Sequence, residues 1–234
     1  MKRSKMGGLD VVIGGGSDGD GGGDGPLLVL LHGFGAPAED LVPLAYHLET
    51  PPGTRFVCPG APIEMGLPFS DARAWWMIDF ARLERGRYTQ EVPAGLPESH
   101  AHVVALLGEC EKTLGAAPER TVLGGFSQGS MLSADVALRT SRPLAGLLLL
   151  STSLIAEPDW APRFAARRGL KVFQSHGTLD PILPYGIAER VRLLWEEAGA
   201  YVTFVGFEGG HEIPPPVVVE AERFLASVLG GLGG

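Results

Sequence analysis

Thr121-Val-Leu-Gly-Gly-Phe-Ser127-Gln-Gly129 is the stretch of sequence that determines the fold. An apolar run leads into a Gly-x-Ser-x-Gly pattern, and residues 130–138 then show helical spacing. A serine at a sharp strand-to-helix turn exposes its hydroxyl above the sheet, and the crowded backbone there requires small flanking residues. The pattern therefore predicts a nucleophilic serine at position 127.

The same pattern occurs a second time, at Gly15-Gly-Ser17-Asp-Gly19, in a chain with 34 glycines among 234 residues. The second copy also follows an apolar triplet, but glycine and aspartate dominate the residues after it. Those residue types favour turns over helices. Ser17 therefore lacks the strand–turn–helix context that Ser127 has, and the rest of the chain must supply partners for Ser127.

The bulk composition predicts one globular domain over residues 1–234, because 45% of the residues are hydrophobic. A formal net charge of −8 and a pI of about 5.2 argue against nucleic acid as the main partner. The basic first residues have no apolar segment behind them, and no apolar run has the length of a membrane span. We therefore expect a cytoplasmic protein without stable membrane insertion. Cys58 and Cys110 are expected to be reduced, and their spacing indicates no metal site.

Strand and helix patterns alternate along most of the chain. We predict strands at residues 9–13, 26–32, 54–58, 121–126, 144–150, 171–176 and 201–207, and helices at residues 39–48, 98–114, 130–138, 160–168, 184–198 and 215–229. This order is typical of an α/β fold with a mostly parallel central sheet and helices on both faces. Residues 1–25 are predicted to hold one strand and a Gly/Asp-rich loop, whose aspartates do not have the spacing of an EF-hand calcium site.

Residues 63–97 show little periodicity, and a long excursion of this kind is usually functional. The segment contains Trp75, Trp76 and Met77, which we take as candidate substrate-binding residues of a lid-like or pocket-lining segment. The same aromatic side chains could instead cap the core, because pockets and cores have similar apolar linings. An exposed Trp75-Trp76 patch would also fit a homodimer.

Polar residues follow several predicted strands, and in open α/β sheets ligands bind at these carboxyl ends. A serine nucleophile needs a base to accept its proton and an acid to orient that base. His211 follows the last strand and Asp180 follows the strand before it, so Ser127, Asp180 and His211 occur in the order of an α/β-hydrolase triad. His176 and His32 are predicted to be structural.

Acyl transfer also needs donors for the developing oxyanion, and backbone N–H groups at turns are fixed in place for this role. Gln128, the residue after the nucleophile, offers one such group from the start of its helix. The turn His32-Gly33-Phe34-Gly35 after an earlier strand offers a second, the N–H of Phe34.

Several further motifs resemble those of one family. They are His32-Gly-Phe-Gly35, Cys58-Pro-Gly-Ala-Pro62, Arg73-Ala-Trp-Trp76, Leu123-Gly-Gly-Phe-Ser-Gln-Gly129, Pro143-Leu-Ala-Gly146, His176-Gly-Thr-Leu-Asp-Pro181 and Gly210-His211. The chain resembles the phospholipase/carboxylesterase family of α/β-hydrolases, which includes the acyl-protein thioesterases. The resemblance implies a Ser127–His211–Asp180 triad, oxyanion amides at Phe34 and Gln128, and hydrolysis of esters or thioesters without metal or cofactor.

The chain departs from the family pattern in ways that bear on acyl-chain preference. The departures are Ser130-Met131 after the elbow, the longer Trp75-Trp-Met-Ile-Asp79 segment and Glu212-Ile213 after the histidine. We predict a serine carboxylesterase that acts on a small-molecule ester or acyl substrate. A thioesterase or lysophospholipase acting on long acyl chains, and a catalytically silent binding protein, remain the alternatives.

Overall fold

The computed structural model describes residues 1–66, 71–79 and 90–230. Within these residues a nine-stranded sheet forms the centre of the molecule, and two further short strands, β6 and β7, pair with each other. The strands are β1 Lys2–Met6, β2 Leu9–Gly16, β3 Asp20–Gly22, β4 Leu27–Leu31, β5 Arg55–Pro59, β6 Ile63–Glu64, β7 Arg73–Ala74, β8 Thr121–Phe126, β9 Gly146–Leu150, β10 Lys171–Gly177 and β11 Tyr201–Phe207. The order across the sheet is β1-β2-β5-β4-β8-β9-β10-β11, with β3 beside β2.

The sheet is parallel from β5 through to β11 and antiparallel at its β1–β2–β5 end. Helices are α1 Val42–His47, α2 Leu96–Leu114, α3 Gln128–Arg139, α4 Glu157–Trp160, α5 Tyr185–Glu197 and α6 Pro215–Leu229. None of the helices in the described residues has the length and hydrophobicity that crossing a membrane requires.

Buried apolar side chains form a core on each face of the sheet. Val29 and Leu31 of β4 pack with side chains from α2, α3 and α5, whereas Leu28 and Leu30 pack with side chains from α1 and α6. A strand covered on both faces must be apolar at every position, which explains its continuous apolar run. The predicted α/β fold, with a mostly parallel sheet and helices on both faces, is confirmed.

The amino-terminal prediction is wrong in detail. Residues 2–6 form a strand that has no apolar pattern, because four of its five residues are exposed at the edge of the sheet. The predicted strand at residues 9–13 continues to Gly16, and part of the predicted Gly/Asp-rich loop forms β3. Glycines carry no side chains that could display the alternation expected of a strand.

The segment at residues 63–97 is described only in part. Residues 67–70 and 80–89 of this predicted excursion lie outside the described residues, so its lid-like character stays a prediction. In the described part β6 and β7 pair antiparallel, and Trp75 and Trp76 are completely buried. The prediction of an exposed Trp75-Trp76 patch, on which the expected homodimer was based, is therefore wrong.

Two backbone segments approach the carbonyl oxygen of Leu31 very closely. A Cβ atom added at Gly129, in the first turn of α3, would lie 2.0 Å from this oxygen, and one added at Gly125 in β8 would lie 2.3 Å from it. Real Cβ atoms do not make such contacts with backbone, so only glycine fits at these positions. Gly108, in the middle of α2, offers the contrasting case, because a Cβ atom added there would meet nothing within 4 Å beyond its own helical turn.

We predict that Gly129→Ala and Gly108→Ala change the free energy of unfolding in opposite directions. Gly129→Ala should lower it by about 1–3 kcal/mol or more, because the methyl group overlaps the Leu31 carbonyl. Gly108→Ala should raise it by about 0.5–1 kcal/mol, since alanine loses less backbone entropy in a helix. Urea denaturation measures both. Equal effects of the two substitutions would contradict the close approach at Gly129.

Candidate active site

Ser127 lies in the sharp turn between β8 and α3, at φ 53° and ψ −117°. A positive φ is uncommon for a residue with a side chain and persists only where the surroundings enforce it. The N–H of Ser127 donates to Leu150 O at 2.9 Å, and its carbonyl accepts from Ser130 and Met131 at 3.0 and 3.1 Å. The turn is thus fixed to β9 on one side and to the first turn of α3 on the other.

Ser127 opens onto a largely apolar cavity of about 460 Å³. The lining residues are Gly33, Phe34, Gly35, Ala36, Asp40, Ile78, Phe126, Ser127, Gln128, Met131, Ile182, Leu183 and His211. Four of the residues predicted from sequence, namely Ser127, His211, Phe34 and Gln128, therefore meet at one cavity.

Asp180 holds the imidazole of His211. The Nδ1 atom of His211 lies 2.7 Å from Asp180 Oδ2, and the N–H groups of Ile182 and Leu183 donate to Asp180 Oδ1 at 2.8 and 2.9 Å. Burial would raise the pKa of Asp180, but the hydrogen bonds from Leu183, His211 and Ile182 outweigh it and lower the pKa. An ionised Asp180 can only accept a hydrogen bond, so Nδ1 of His211 carries the proton and donates the hydrogen bond to the carboxylate. The basic lone pair of His211 is then on Nε2.

His176 is completely buried behind this pair. Its Nε2 atom donates to Leu183 O at 2.8 Å and lies 3.3 Å from Asp180 Oδ2. Burial lowers the pKa of His176, so the ring is neutral near pH 7. His176 thus shapes the loop that carries Asp180, in the structural role that the sequence predicts.

His32 has an equally structural environment on the other side of the site. Its Nε2 accepts from the N–H of Ala61 at 3.0 Å, so its Nδ1 carries the proton and donates to Gly33 O at 2.8 Å. Burial lowers the pKa of this ring as well. His32 therefore anchors residues 33–36, which we call the oxyanion loop after the role predicted for Phe34.

The oxyanion loop is held by β7. The N–H of Gly35 donates to Arg73 O at 2.9 Å, and the N–H of Arg73 donates to Ala36 O at 3.0 Å. Phe34, directly before these contacts, lines the cavity. Gln128 is the first residue of α3, and the first backbone N–H groups of a helix have no acceptor within the helix. The two predicted oxyanion residues thus line the same cavity as Ser127.

The predicted substrate-binding residues occupy other places. Trp75 and Trp76 lie in the core, and Met77, 53% exposed, is not among the described residues that line the cavity. The next residue, Ile78, does line it. Met131, named above as a departure from the family pattern, also lines the cavity one helical turn after Ser127. Leu183, which was not predicted, lines it from the loop after Asp180.

The two thiols of the chain are poor candidates for a nucleophile. Cys58 and Cys110 are both buried and free, and burial raises the pKa of each to about 12. A thiol is reactive only as the thiolate. Among the residues that the structure describes, no group of three or more His, Cys, Asp or Glu side chains is arranged to hold a metal ion.

Comparison with known proteins shows the family of this chain. Residues 23–229 match the sequence model of the family described as Phospholipase/Carboxylesterase. The chain is 32% identical over 219 residues to acyl-protein thioesterase 1 of Mycosarcoma maydis, an alignment that covers 86% of this chain and 89% of that protein.

Solved structures show the same fold. Esterase PE8 superimposes with a TM-score of 0.78 at 25% identity, over 94% of this chain and 99% of its own. The Bacillus cereus carboxylesterase superimposes with a TM-score of 0.69 at 21% identity, over 94% of each chain. With its α/β-hydrolase fold and the family match over nearly its whole length, this chain belongs to the phospholipase/carboxylesterase family.

Proposed function

We propose that this protein is a serine carboxylesterase that cleaves small-molecule esters through an acyl-enzyme intermediate. The family indicates a serine hydrolase of the carboxylesterase or acyl-protein thioesterase type. The observation that carries the proposal is the 2.7 Å contact between His211 Nδ1 and Asp180 Oδ2, at a cavity that Ser127 also lines. These are the three chemical groups that nucleophilic acyl transfer requires.

In the proposed reaction, Ser127 Oγ attacks the ester carbonyl carbon while His211 Nε2 takes the hydroxyl proton. The carbonyl oxygen becomes an oxyanion that accepts hydrogen bonds from the N–H groups of Phe34 and Gln128. Collapse of this intermediate breaks the bond to the leaving oxygen, and His211 returns the proton to the departing alcohol. A water molecule, activated by the same histidine, then releases the carboxylic acid and restores Ser127.

In this mechanism Asp180 acts through His211. Its carboxylate fixes the tautomer that has the free lone pair on Nε2, and it stabilises the imidazolium that forms when Ser127 is deprotonated. The lowered pKa of Asp180 supports this role, because the carboxylate stays charged throughout the pH range in which a histidine acts as a base.

The cavity wall favours a short or medium acyl chain. Met131 lies four residues after Ser127, on the same face of α3, and its buried side chain lines the cavity. The family commonly has a small residue at this position, so the methionine occupies space that an acyl chain would otherwise use. The name of the Mycosarcoma maydis relative, acyl-protein thioesterase 1, favours a second candidate, an acyl-thioesterase, for which the sequence-based alternative is a long acyl chain.

A fluorophosphonate probe should label the wild-type protein once, at Ser127, because only an activated serine oxygen displaces fluoride from the probe. Ser127→Ala should abolish labelling, as measured by intact-protein mass spectrometry. Ser17→Ala removes the exposed serine of the second Gly-x-Ser-x-Gly pattern and should leave labelling unchanged. Labelling that persists in Ser127→Ala would contradict the assignment of Ser127 as the nucleophile.

Asp180→Asn should reduce kcat by about 10⁴-fold, because an amide cannot hold His211 in the required tautomer. It should also change acid stability. The folded-state pKa of Asp180 lies below its ordinary value of 3.8, so its stabilising effect is fully present above that value and is lost as the pH falls through the lower folded-state pKa. The stability difference between wild type and Asp180→Asn should therefore be largest near neutral pH and shrink in acid.

Urea denaturation at several pH values measures this difference. Glu119→Gln, which removes one carboxylate charge at an exposed position, is the matched control and should change neither kcat nor the pH dependence. A stability difference for Asp180→Asn that stays constant from neutral to acid pH would contradict the lowered pKa.

A substrate panel separates the two candidate functions. We expect kcat/KM to be highest for short or medium p-nitrophenyl esters and to exceed that for a palmitoyl thioester by about tenfold or more, because in this proposal the Met131 side chain at the cavity wall takes up room that a long acyl chain needs. Met131→Ala should shift the preference towards longer chains.

Met77→Ala, which truncates an exposed side chain away from the described cavity wall, is the control and should leave the chain-length profile unchanged. A wild-type protein that prefers the palmitoyl thioester would be a thioesterase. A chain-length profile that changes in Met77→Ala but not in Met131→Ala would contradict the role of Met131 and would support the original prediction that Met77 binds substrate.

A further inference from the structure

The side chain of Gln128 is buried, and both of its terminal atoms form hydrogen bonds within the protein. It is 1% exposed; its Oε1 accepts from the N–H of Trp75 at 2.9 Å, and its Nε2 donates to Trp76 O at 2.7 Å. A buried amide left without partners would be costly, so these contacts fix the side chain. The residue that offers a backbone N–H to the oxyanion thus holds, through its side chain, a segment more than fifty residues away.

That segment, residues 73–76, is what we call the brace. At its first residue it joins the oxyanion loop through the paired contacts of Arg73 with Gly35 and Ala36, at 2.9 and 3.0 Å. Phe34 lies directly before the first of these contacts. The brace is therefore hydrogen-bonded at one end to the oxyanion loop and at the other end to Gln128.

Trp75 adds a further link, to the residue directly before the oxyanion loop. Its indole N–H donates to His32 O at 2.9 Å, and its own carbonyl accepts from Ser99 Oγ of α2. Trp75 and Trp76 are both 0% exposed. Close packing on all sides leaves such side chains little room to move, so the brace is a rigid connection.

We infer that the Gln128 side chain is a positioning residue that, through the brace, sets the separation between the Phe34 and Gln128 amides. This inference rests on the proposed function, in which those two amides bind the oxyanion. Donors of this kind stabilise the transition state only when they are held at the oxyanion's position, and a displacement of about 1 Å can cost about 100-fold in rate. Gln128 would therefore affect kcat without touching the substrate through its side chain.

Gln128→Met tests the inference, because methionine keeps the length of the side chain but removes both hydrogen bonds to the brace. We expect kcat for a p-nitrophenyl ester to fall by about 10- to 100-fold. KM should change little, since the amides act on the transition state. Affinity for a reversible boronate, which forms a tetrahedral adduct on the serine, should fall by a similar factor.

The matched control is Gln174→Met. Gln174 is also completely buried, and its Nε2 donates to Ala188 O of α5 at 2.7 Å, away from the oxyanion loop. Both variants should be less stable than wild type, but Gln174→Met should keep its kcat and its affinity for the boronate. Trp75→Phe removes the hydrogen bond to His32 O and part of the buried ring, and it keeps the backbone contacts with Gln128. It should lower kcat by about three- to tenfold and tests the brace where Gln128→Met does not fold.

The outcomes distinguish the positioning role of Gln128 from the proposed function. If Gln128→Met keeps kcat and boronate affinity, or if Gln174→Met loses them equally, the positioning role is overturned while the proposed function stands. Where only Trp75→Phe folds, an unchanged kcat means that the brace does not position the oxyanion loop, and the role of Gln128, which acts through the brace, is overturned. A wild-type protein that neither labels with the fluorophosphonate nor hydrolyses any ester or thioester would overturn the proposed function, and the positioning role with it.

Discussion

Backbone crowding at the carbonyl of Leu31 is the constraint on which the rest of the site depends. β8 and α3 both come so close to this oxygen that a side chain at Gly125 or Gly129 would overlap it. The turn between them has no room to relax, and Ser127 is held at a positive φ. Strain of this kind survives only where the surrounding structure enforces it. The scaffold, rather than the substrate, therefore fixes the position of the candidate nucleophile.

Three histidines lie near this turn, and their surroundings give them different chemistry. His32 and His176 are buried, and each has Nδ1 or Nε2 committed to a backbone carbonyl, while burial lowers the pKa of both. His211 is 13% exposed at the cavity, and its one described polar partner is the carboxylate of Asp180. A buried ring bonded to carbonyls stabilises a loop. A ring that is oriented by a carboxylate and open to the cavity is suited to move protons.

The sequence predicted those features that depend on burial pattern or on position along the sheet. Leu27–Leu31 was recognisable because all five residues are buried, and Ser127, Asp180 and His211 were expected to meet because the carboxyl ends of parallel strands share one edge. Lys2–Met6 was missed because an edge strand is held by backbone hydrogen bonds, which leave no pattern in the side chains. Apolar spacing reports which side chains are covered, and it carries no information on a strand held in this way.

Trp75 and Trp76 show a second limit of the sequence, since apolar residues line pockets and cores alike. Here the hydrogen bonds of the polar backbone groups distinguish a core position from a pocket position. The backbone N–H of Trp75 and the carbonyl of Trp76 need partners once they are buried, and the amide of Gln128 supplies both from 53 and 52 residues away. The local sequence around a glutamine at the first position of a helix does not predict such a distant partner. The pairing of buried polar groups, more than hydrophobicity, thus places these tryptophans behind the site rather than in it.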